Sequence, residues 1–236
     1  MVSPVSDIVE TAGHVLSSDA ARNTGGRPKL DSPVGGRFKR IFDICVATAA
    51  LVLVSPLMIA IAILIRLNMG SPVIYAHPRV GVNGRIFRCY KFRTMVNNGH
   101  EVLERHLAED PDSALEWTTA RKLSKDPRVT RLGQLLRRSS IDELPQLFNV
   151  LRGDMSCVGP RPIVPDELKP YGENAKDYLS ARPGLTGIWQ VCGRNTLAYS
   201  SRVKLDAMYV RRWSMLVDLA ILVKTIPALL KFNETS

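Results

Sequence analysis

Residues 41–65 read IFDICVATAALVLVSPLMIAIAILI and hold a single charged residue, Asp43. As a continuous helix this run would be about 37 Å long, against roughly 30 Å of bilayer hydrocarbon. A buried core helix of a soluble protein is the plainer alternative. The run is apolar on every side and long for a small domain, which favours a membrane. Ser55-Pro56 interrupts it. Proline lacks the N–H that a helix interior uses and clashes with the preceding turn, so a break is expected there. Neither half alone is long enough to cross. The segment is therefore either a kinked spanning helix or a re-entrant one that turns back at Ser55-Pro56.

Charge bears on that choice. The 236 residues carry 32 basic and 22 acidic side chains, a net charge of +10. Residues 1–37 balance four basic side chains (Arg22, Arg27, Lys29, Arg37) against four acidic ones (Asp7, Glu10, Asp19, Asp31), so the excess lies in residues 38–236. Arg37, Lys39 and Arg40 precede the apolar run, and Arg66, Arg79, Arg85, Arg88, Lys91 and Arg93 follow it. Basic flanks prefer the cytoplasmic side, and here both flanks are basic, which favours the re-entrant form. Backbone freed at membrane depth needs a partner, and Ser55 can supply one bond. A basic body also needs an anionic partner: nucleic acid, a membrane face or a phosphorylated substrate. Aromatics make up only 6% of the chain, which argues against single-stranded nucleic acid.

The rest divides simply. Residues 1–37 are rich in Ser, Gly, Pro and Ala and are expected to form a flexible tail; they hold no signal-peptide core. Residues 72–75 and 85–93 alternate like short strands, and Asn83-Gly84 between them signals a hairpin turn. Residues 99–110, 112–123, 129–138 and 145–151 read as helices, the last ended by Gly153. Residues 200–231 return to helical spacing and suit either a core or a membrane interface. Cys45, Cys89, Cys157 and Cys192 show no paired spacing, so free thiols are expected. His14, His77, His100 and His106 lack ligand spacing, and any metal should be a hard, oxygen-bound cation.

The most pointed chemistry lies in SSIDELPQL, residues 139–147. Ser140 and Glu143 match an S-x-x-E capping box, the structural explanation. Pro145 opposes it: it suits a first helical position, which puts Asp142 and Glu143 just ahead of a helix start. Adjacent carboxylates repel, which raises one pKa unless a cation is near, and they point in different directions. One can then attack while the other holds metal. In Gly159-Pro160-Arg161-Pro162 the prolines hold one arginine on a rigid stretch, either a structural turn or a guanidinium clamp on phosphate. Lys91 and Arg93 present bases on a strand, either a solvated face or a basic wall of the site. RPGLTGIWQ, residues 182–190, has many turn formers and reads as a substrate-facing loop.

KFRTM (91–95), DPRVTRLGQLLRRSSIDELPQLFNVLRGDMSCVGPRP (126–162) and RPGLTGIWQVCGR (182–194) together resemble the bacterial polyprenyl-phosphate hexose-1-phosphate transferases. The resemblance covers roughly residues 38–230 and is closest to the exopolysaccharide branch. It implies transfer of galactose or glucose 1-phosphate from a UDP-sugar to undecaprenyl phosphate, with release of UMP and a need for Mg²⁺. It implies Asp142 as nucleophile, Glu143 as magnesium ligand, and Arg137, Arg161, Lys91 and Arg93 around the phosphates. It implies a re-entrant helix broken at Ser55-Pro56 and residence in the bacterial inner membrane, active site on the cytoplasmic face. Larger relatives carry several membrane helices ahead of this part; residues 1–37 contain none.

The expected fold is α+β and mostly helical. It is a monotopic membrane protein with a re-entrant helix (38–66), a catalytic domain (67–236), a small β-hairpin and interfacial amphipathic helices. Expected partners are the UDP-sugar, undecaprenyl phosphate and membrane lipids, with no nucleic acid; a homo-oligomer is left open, as is the choice between galactose and glucose. Two rival readings are a membrane-anchored basic adaptor, in which Asp142 and Glu143 would be dispensable, and an anchored nucleic-acid binder, whose affinity would fall steeply with salt.

Overall fold

The computed structural model describes residues 32–120, 123–192 and 197–230. One helix dominates it: α1, Gly36–Met69, 34 residues with Pro56 inside. Pro56 has no N–H to give the Val52 carbonyl four residues back. The Ser55 hydroxyl donates to that same carbonyl at 3.0 Å. The Ser-Pro pair thus repairs the bond its own proline removes, and the helix continues.

Only one face of α1 is covered. Lys39, Asp43 and Ala47 are buried at four-residue spacing near its start, and Met58, Ile61 and Ile65 near its end. Between them Leu53 is 81% exposed, and Val52 is exposed beside it. Among the described residues α1 is the one helix long and apolar enough to cross a membrane. So much uncovered apolar surface suits a membrane better than water.

Both ends of α1 are fastened to the same body. At the start, the Lys39 ammonium pairs with buried Asp218 at 2.5 Å. Arg40 donates to the carbonyls of Val150 (2.5 Å) and Leu151 (2.7 Å). At the end, Arg93 donates to the carbonyls of Met69 and Gly70. Cations at helix C-terminal carbonyls are favoured by charge as well as by hydrogen bonding.

After α1 come β1 (Ile74–Val80) and β2 (Ile86–Phe92), an antiparallel hairpin with Ile74 opposite Phe92 and Val80 opposite Ile86. Asn83 and Gly84 take positive φ at its tip, as their sequence signal requires. Two helices follow, α2 (Gly99–Glu109) and α3 (Pro111–Ala120), then α4 (Arg131–Arg138) and α5 (Gln146–Arg152). Gly153 ends α5 with φ of 88°. The chain then forms β3 (Ser156–Val158), a 3₁₀ stretch over Pro165–Asn174, α6 (Ala175–Ser180), β4 (Gly184–Thr186) and α7 (Ile188–Cys192). It closes with α8 (Tyr199–Arg211) and α9 (Met215–Leu230).

The core sits where α1, α5, β3, β4, α8 and α9 meet; Val150, Met155, Val158 and Tyr209 are buried there. Asn149 is fully buried and ties α5 to the hairpin. Its amide donates to Arg88 O at 2.7 Å and accepts from Tyr90 N at 2.9 Å.

Some expectations need correcting. RPGLTGIWQ is not a loop: Gly184–Thr186 is a strand paired in parallel with β3, and Ile188, Trp189 and Cys192 of α7 are buried. The turn-forming glycines are there for close approach. A Cβ on Gly184 would lie 2.1 Å from Gly159 N, closer than atoms can come. The expected tail also extends too far along the chain. Val34 is buried and its N–H donates to Ser180 O at 3.0 Å, so the chain is anchored from there on; residues 1–31 lie outside the described residues. Residues 200–230 divide between core and surface: Val203, Tyr209, Val217 and Ile221 are core, while Leu216, Leu219, Val223 and Ile226 are exposed. All four cysteines are free.

Candidate active site

The site is assembled on the turn between α4 and α5. Thr130 caps α4, its side chain accepting from Gly133 N at 3.0 Å. Thr130 N also donates to Thr94 O at 3.1 Å. A Cβ on Gly133 would lie 2.0 Å from Thr94 O, so only glycine lets α4 lie this close to the end of the hairpin. One turn further on, Arg137 Nε donates to Thr94 Oγ1 at 2.9 Å. The Thr of KFRTM and the Gly of TRLGQ therefore aim Arg137.

α4 ends at Arg138, and two residues on Ser140 takes φ of 55°. That left-handed conformation costs a non-glycine residue about 1 kcal/mol. It redirects the chain into a single 3₁₀ turn, Ile141–Glu143, with Glu143 N donating to Ser140 O at 3.2 Å. The capping box does not form: Ser140 makes no side-chain cap. Pro145 is the residue just before α5, so the two carboxylates precede a helix start as its placement required.

The turn gives the two carboxyls different surroundings. Asp142 is 7% exposed. Burial pushes its carboxyl up to about 6, opposed by Lys91 and Arg137 and reinforced by Glu143. The Glu143 side chain is 35% exposed and accepts from Lys91 Nζ at 2.6 Å. Burial would raise its carboxyl too, but Lys91, then Arg161 and Arg79, hold it below the usual range. Burial would also pull Lys91 down; Glu143 and Asp142 instead keep its ammonium above the usual value. The result is one carboxyl poised near neutrality beside one firmly ionised.

Arg161 completes the ring of charge. Its side chain is 41% exposed, and its guanidinium lies over the Trp189 ring at 5.9 Å. Beneath it, buried Asp206 accepts from the Tyr171 hydroxyl at 2.9 Å. Burial raises the Asp206 carboxyl to about 7, against the pull of Tyr171 and of Arg161's backbone N–H and charge.

The structure thus brings Asp142, Glu143, Lys91, Arg137 and Arg161 together. It does not bring Arg93 with them: that side chain is buried at the C-terminus of α1, bonded to Asn97 Oδ1 as well as to Met69 and Gly70. β2 ends at Phe92, so strand alternation does not carry Arg93 onto the face of Lys91. Arg79, Thr94, Gly133 and Asp206 were missed as site residues. Arg79 carried no signal beyond being one of several bases after the apolar run.

Among the described residues no three His, Cys, Asp or Glu side chains form a metal cage. A half-exposed carboxylate beside an anion site suits a hard cation that takes its remaining ligands from phosphate and water, as Mg²⁺ does. Glu143 fits that role.

The profile describing bacterial sugar transferases matches residues 34–232. The chain belongs to that family. It is 53% identical over 196 residues to an exopolysaccharide production protein, ExoY, of Rhizobium meliloti, covering 83% of this chain and 87% of that one. It is 51% identical over 193 residues to an undecaprenyl-phosphate galactose phosphotransferase of Salmonella typhimurium, covering 82% of this chain and 40% of that one. A UDP-glucose:undecaprenyl-phosphate glucose-1-phosphate transferase of Klebsiella pneumoniae is 36% identical over 210 residues, covering 84% of this chain and 42% of that one. Membership of this sugar transferase family makes the chain an enzyme, and the adaptor and nucleic-acid readings lapse.

Proposed function

We propose that this enzyme transfers a hexose 1-phosphate, galactose or glucose, from a UDP-sugar to undecaprenyl phosphate, releasing UMP, in exopolysaccharide assembly. The observation that carries the reading is the divided dyad, Asp142 buried and Glu143 ionised, inside a ring of Lys91, Arg137 and Arg161. The relatives' names supply the two substrates.

Asp142 is the nucleophile. An oxygen of its carboxylate attacks the β-phosphorus of the UDP-sugar, and the bond from that phosphorus to the bridging oxygen breaks. That oxygen leaves with its electron pair as part of UMP. An oxygen of the lipid phosphate then attacks the same phosphorus, and the Asp142 oxygen departs as carboxylate. Arg137 and Lys91 balance the charge that gathers at phosphorus. Arg161 holds the diphosphate as a rigid fork. Mg²⁺, held by Glu143, would neutralise diphosphate charge and make the phosphorus open to an anionic nucleophile.

The reaction belongs at the cytoplasmic face of the inner membrane, with α1 bent at Pro56 so that it enters the bilayer and returns. Support comes from its tethers: Lys39–Asp218 at one end and Arg93 at the other bind one body, and Leu53, at 81% exposure, lies just before Ser55-Pro56.

The test is UMP release by the purified chain in detergent, with UDP-galactose or UDP-glucose, undecaprenyl phosphate and Mg²⁺. Release should need the lipid and the metal, and should fall at least a thousandfold in Asp142→Ala and Glu143→Ala. Lipid-independent release, or release untouched by Asp142→Ala, would refute the reading.

A further inference from the structure

One cation beside the site, Arg79, has no role in the mechanism as written. Arg79 stands near the tip end of β1, and Arg161 stands in the GPRP stretch. Their backbones are stitched together: Val80 N donates to Ile163 O at 2.9 Å. The Tyr178 hydroxyl donates to Val80 O at 2.7 Å and accepts from Ile163 N at 3.2 Å. Arg79 itself donates to Pro162 O at 3.2 Å, and its side chain is only 18% exposed.

The two guanidiniums share one counter-charge, Glu167. Arg79 Nη1 lies 3.8 Å from its Oε2, and Arg161 Nη1 lies 4.0 Å from its Oε1. Both separations exceed hydrogen-bond length. Glu167 is held elsewhere, with Oε2 accepting from Val164 N at 3.0 Å. Two guanidiniums thus share one carboxylate as a long-range ion-pair partner, with no hydrogen bond from it to either. Burial and the neighbouring Arg161 both weigh against the charge on Arg79. Two guanidiniums sharing one carboxylate leave an excess positive charge that a bound anion would offset.

We propose that Arg79 joins Arg161 in a two-guanidinium cradle for the phosphate of the nucleotide half of the donor, the group that leaves as UMP. The assignment to the nucleotide follows from order along the site, and it rests on the transferase reading above. Lys91 lies opposite Tyr75 in the hairpin and Arg79 opposite Phe87, so Arg79 lies further toward the tip. Lys91, Arg161 and Arg79 all stand near enough to Glu143 to hold its carboxyl down. A diphosphate whose β-phosphorus faces Asp142 and whose charge is held at Glu143 then runs on toward the arginine pair.

The test is calorimetric titration of the full chain in detergent with Mg²⁺, using UMP, uridine and undecaprenyl phosphate as separate probes. Arg79→Gln should weaken UMP binding at least tenfold and leave uridine and lipid phosphate unchanged; Arg79→Lys should recover part of the loss. Glu167→Gln keeps an oxygen for Val164 N and removes the competing charge, so UMP should bind at least threefold tighter. Opposite signs in the two variants cannot come from general damage to the fold. Equal losses for UMP and uridine in Arg79→Gln, a loss confined to lipid phosphate, or unchanged UMP affinity would each overturn the cradle. If wild type turns over UDP-sugar while Arg79→Gln binds UMP normally, only the cradle falls. If wild type neither turns over UDP-sugar nor binds UMP, the transferase reading falls and takes the cradle with it.

Discussion

At Asp142, burial outweighs two nearby cations and leaves the carboxyl near 6. The ionised form is the nucleophile, so kcat/KM for the UDP-sugar should rise as one proton is lost between about pH 5 and pH 7. Lys91→Gln removes the cation that most opposes the rise and should move this limb at least one unit toward alkaline pH. An unmoved limb would assign it to another group. The same shift has a sign for stability. The native carboxyl holds its proton more tightly than the unfolded chain, whose value is 3.8, so ionisation costs stability as pH rises through about 6. Asp142→Asn, though inactive, should therefore unfold at higher temperature than wild type at pH 7.5, by roughly 2 kcal/mol of stability, and show no gain at pH 4. A lower melting temperature at pH 7.5 would show that the carboxylate is stabilising. At this scale contiguous motifs were legible: Asp142, Glu143 and Pro145 could be read because their relation is local. Arg79 and Arg93 were not, because tertiary partners decide what each guanidinium meets.

The elements divide along the same line. The hairpin was legible through Asn83-Gly84, and α5 through Pro145 and Gly153, each a residue with a strong backbone preference. β3 and β4 were not, because each is three residues long and their glycines, read as turn formers, serve backbone contact. The junction that most directly serves the site is Asn149. It stands in for a neighbouring strand, satisfying Arg88 O and Tyr90 N on the edge that carries Lys91. Asn149→Ala leaves both groups buried without partners, at about 1–3 kcal/mol each. Thermal unfolding in detergent should show that loss, and Asn149→Asp should not restore it, since a carboxylate cannot donate to Arg88 O. Stability unchanged in Asn149→Ala would mean that water replaces the amide.

For the whole molecule, the apolar run in the sequence marked the membrane and the basic flanks marked both ends of it. The physical fastening appears only in the fold. Lys39 looks like a flank residue in the sequence and is in fact half of a buried ion pair with Asp218, whose other oxygen accepts from Tyr209 at 2.7 Å. Exposed apolar side chains on α1 and α9, with Phe148 on α5, supply a surface that lipid would cover. Single cysteines placed at Ser32 and Ser71, in a background without the native thiols, should react with an impermeant label from the same side of the membrane. Labelling from opposite sides would make α1 a spanning helix.

The central claim is a covalent aspartate, and the most direct measurement is the mass of the protein after incubation with UDP-sugar and Mg²⁺ in the absence of lipid phosphate. One hexose phosphate should be found on the peptide carrying Asp142, absent from Asp142→Asn and discharged on adding undecaprenyl phosphate. An unmodified Asp142 peptide in an enzyme that turns over, or an adduct at another residue, would contradict it.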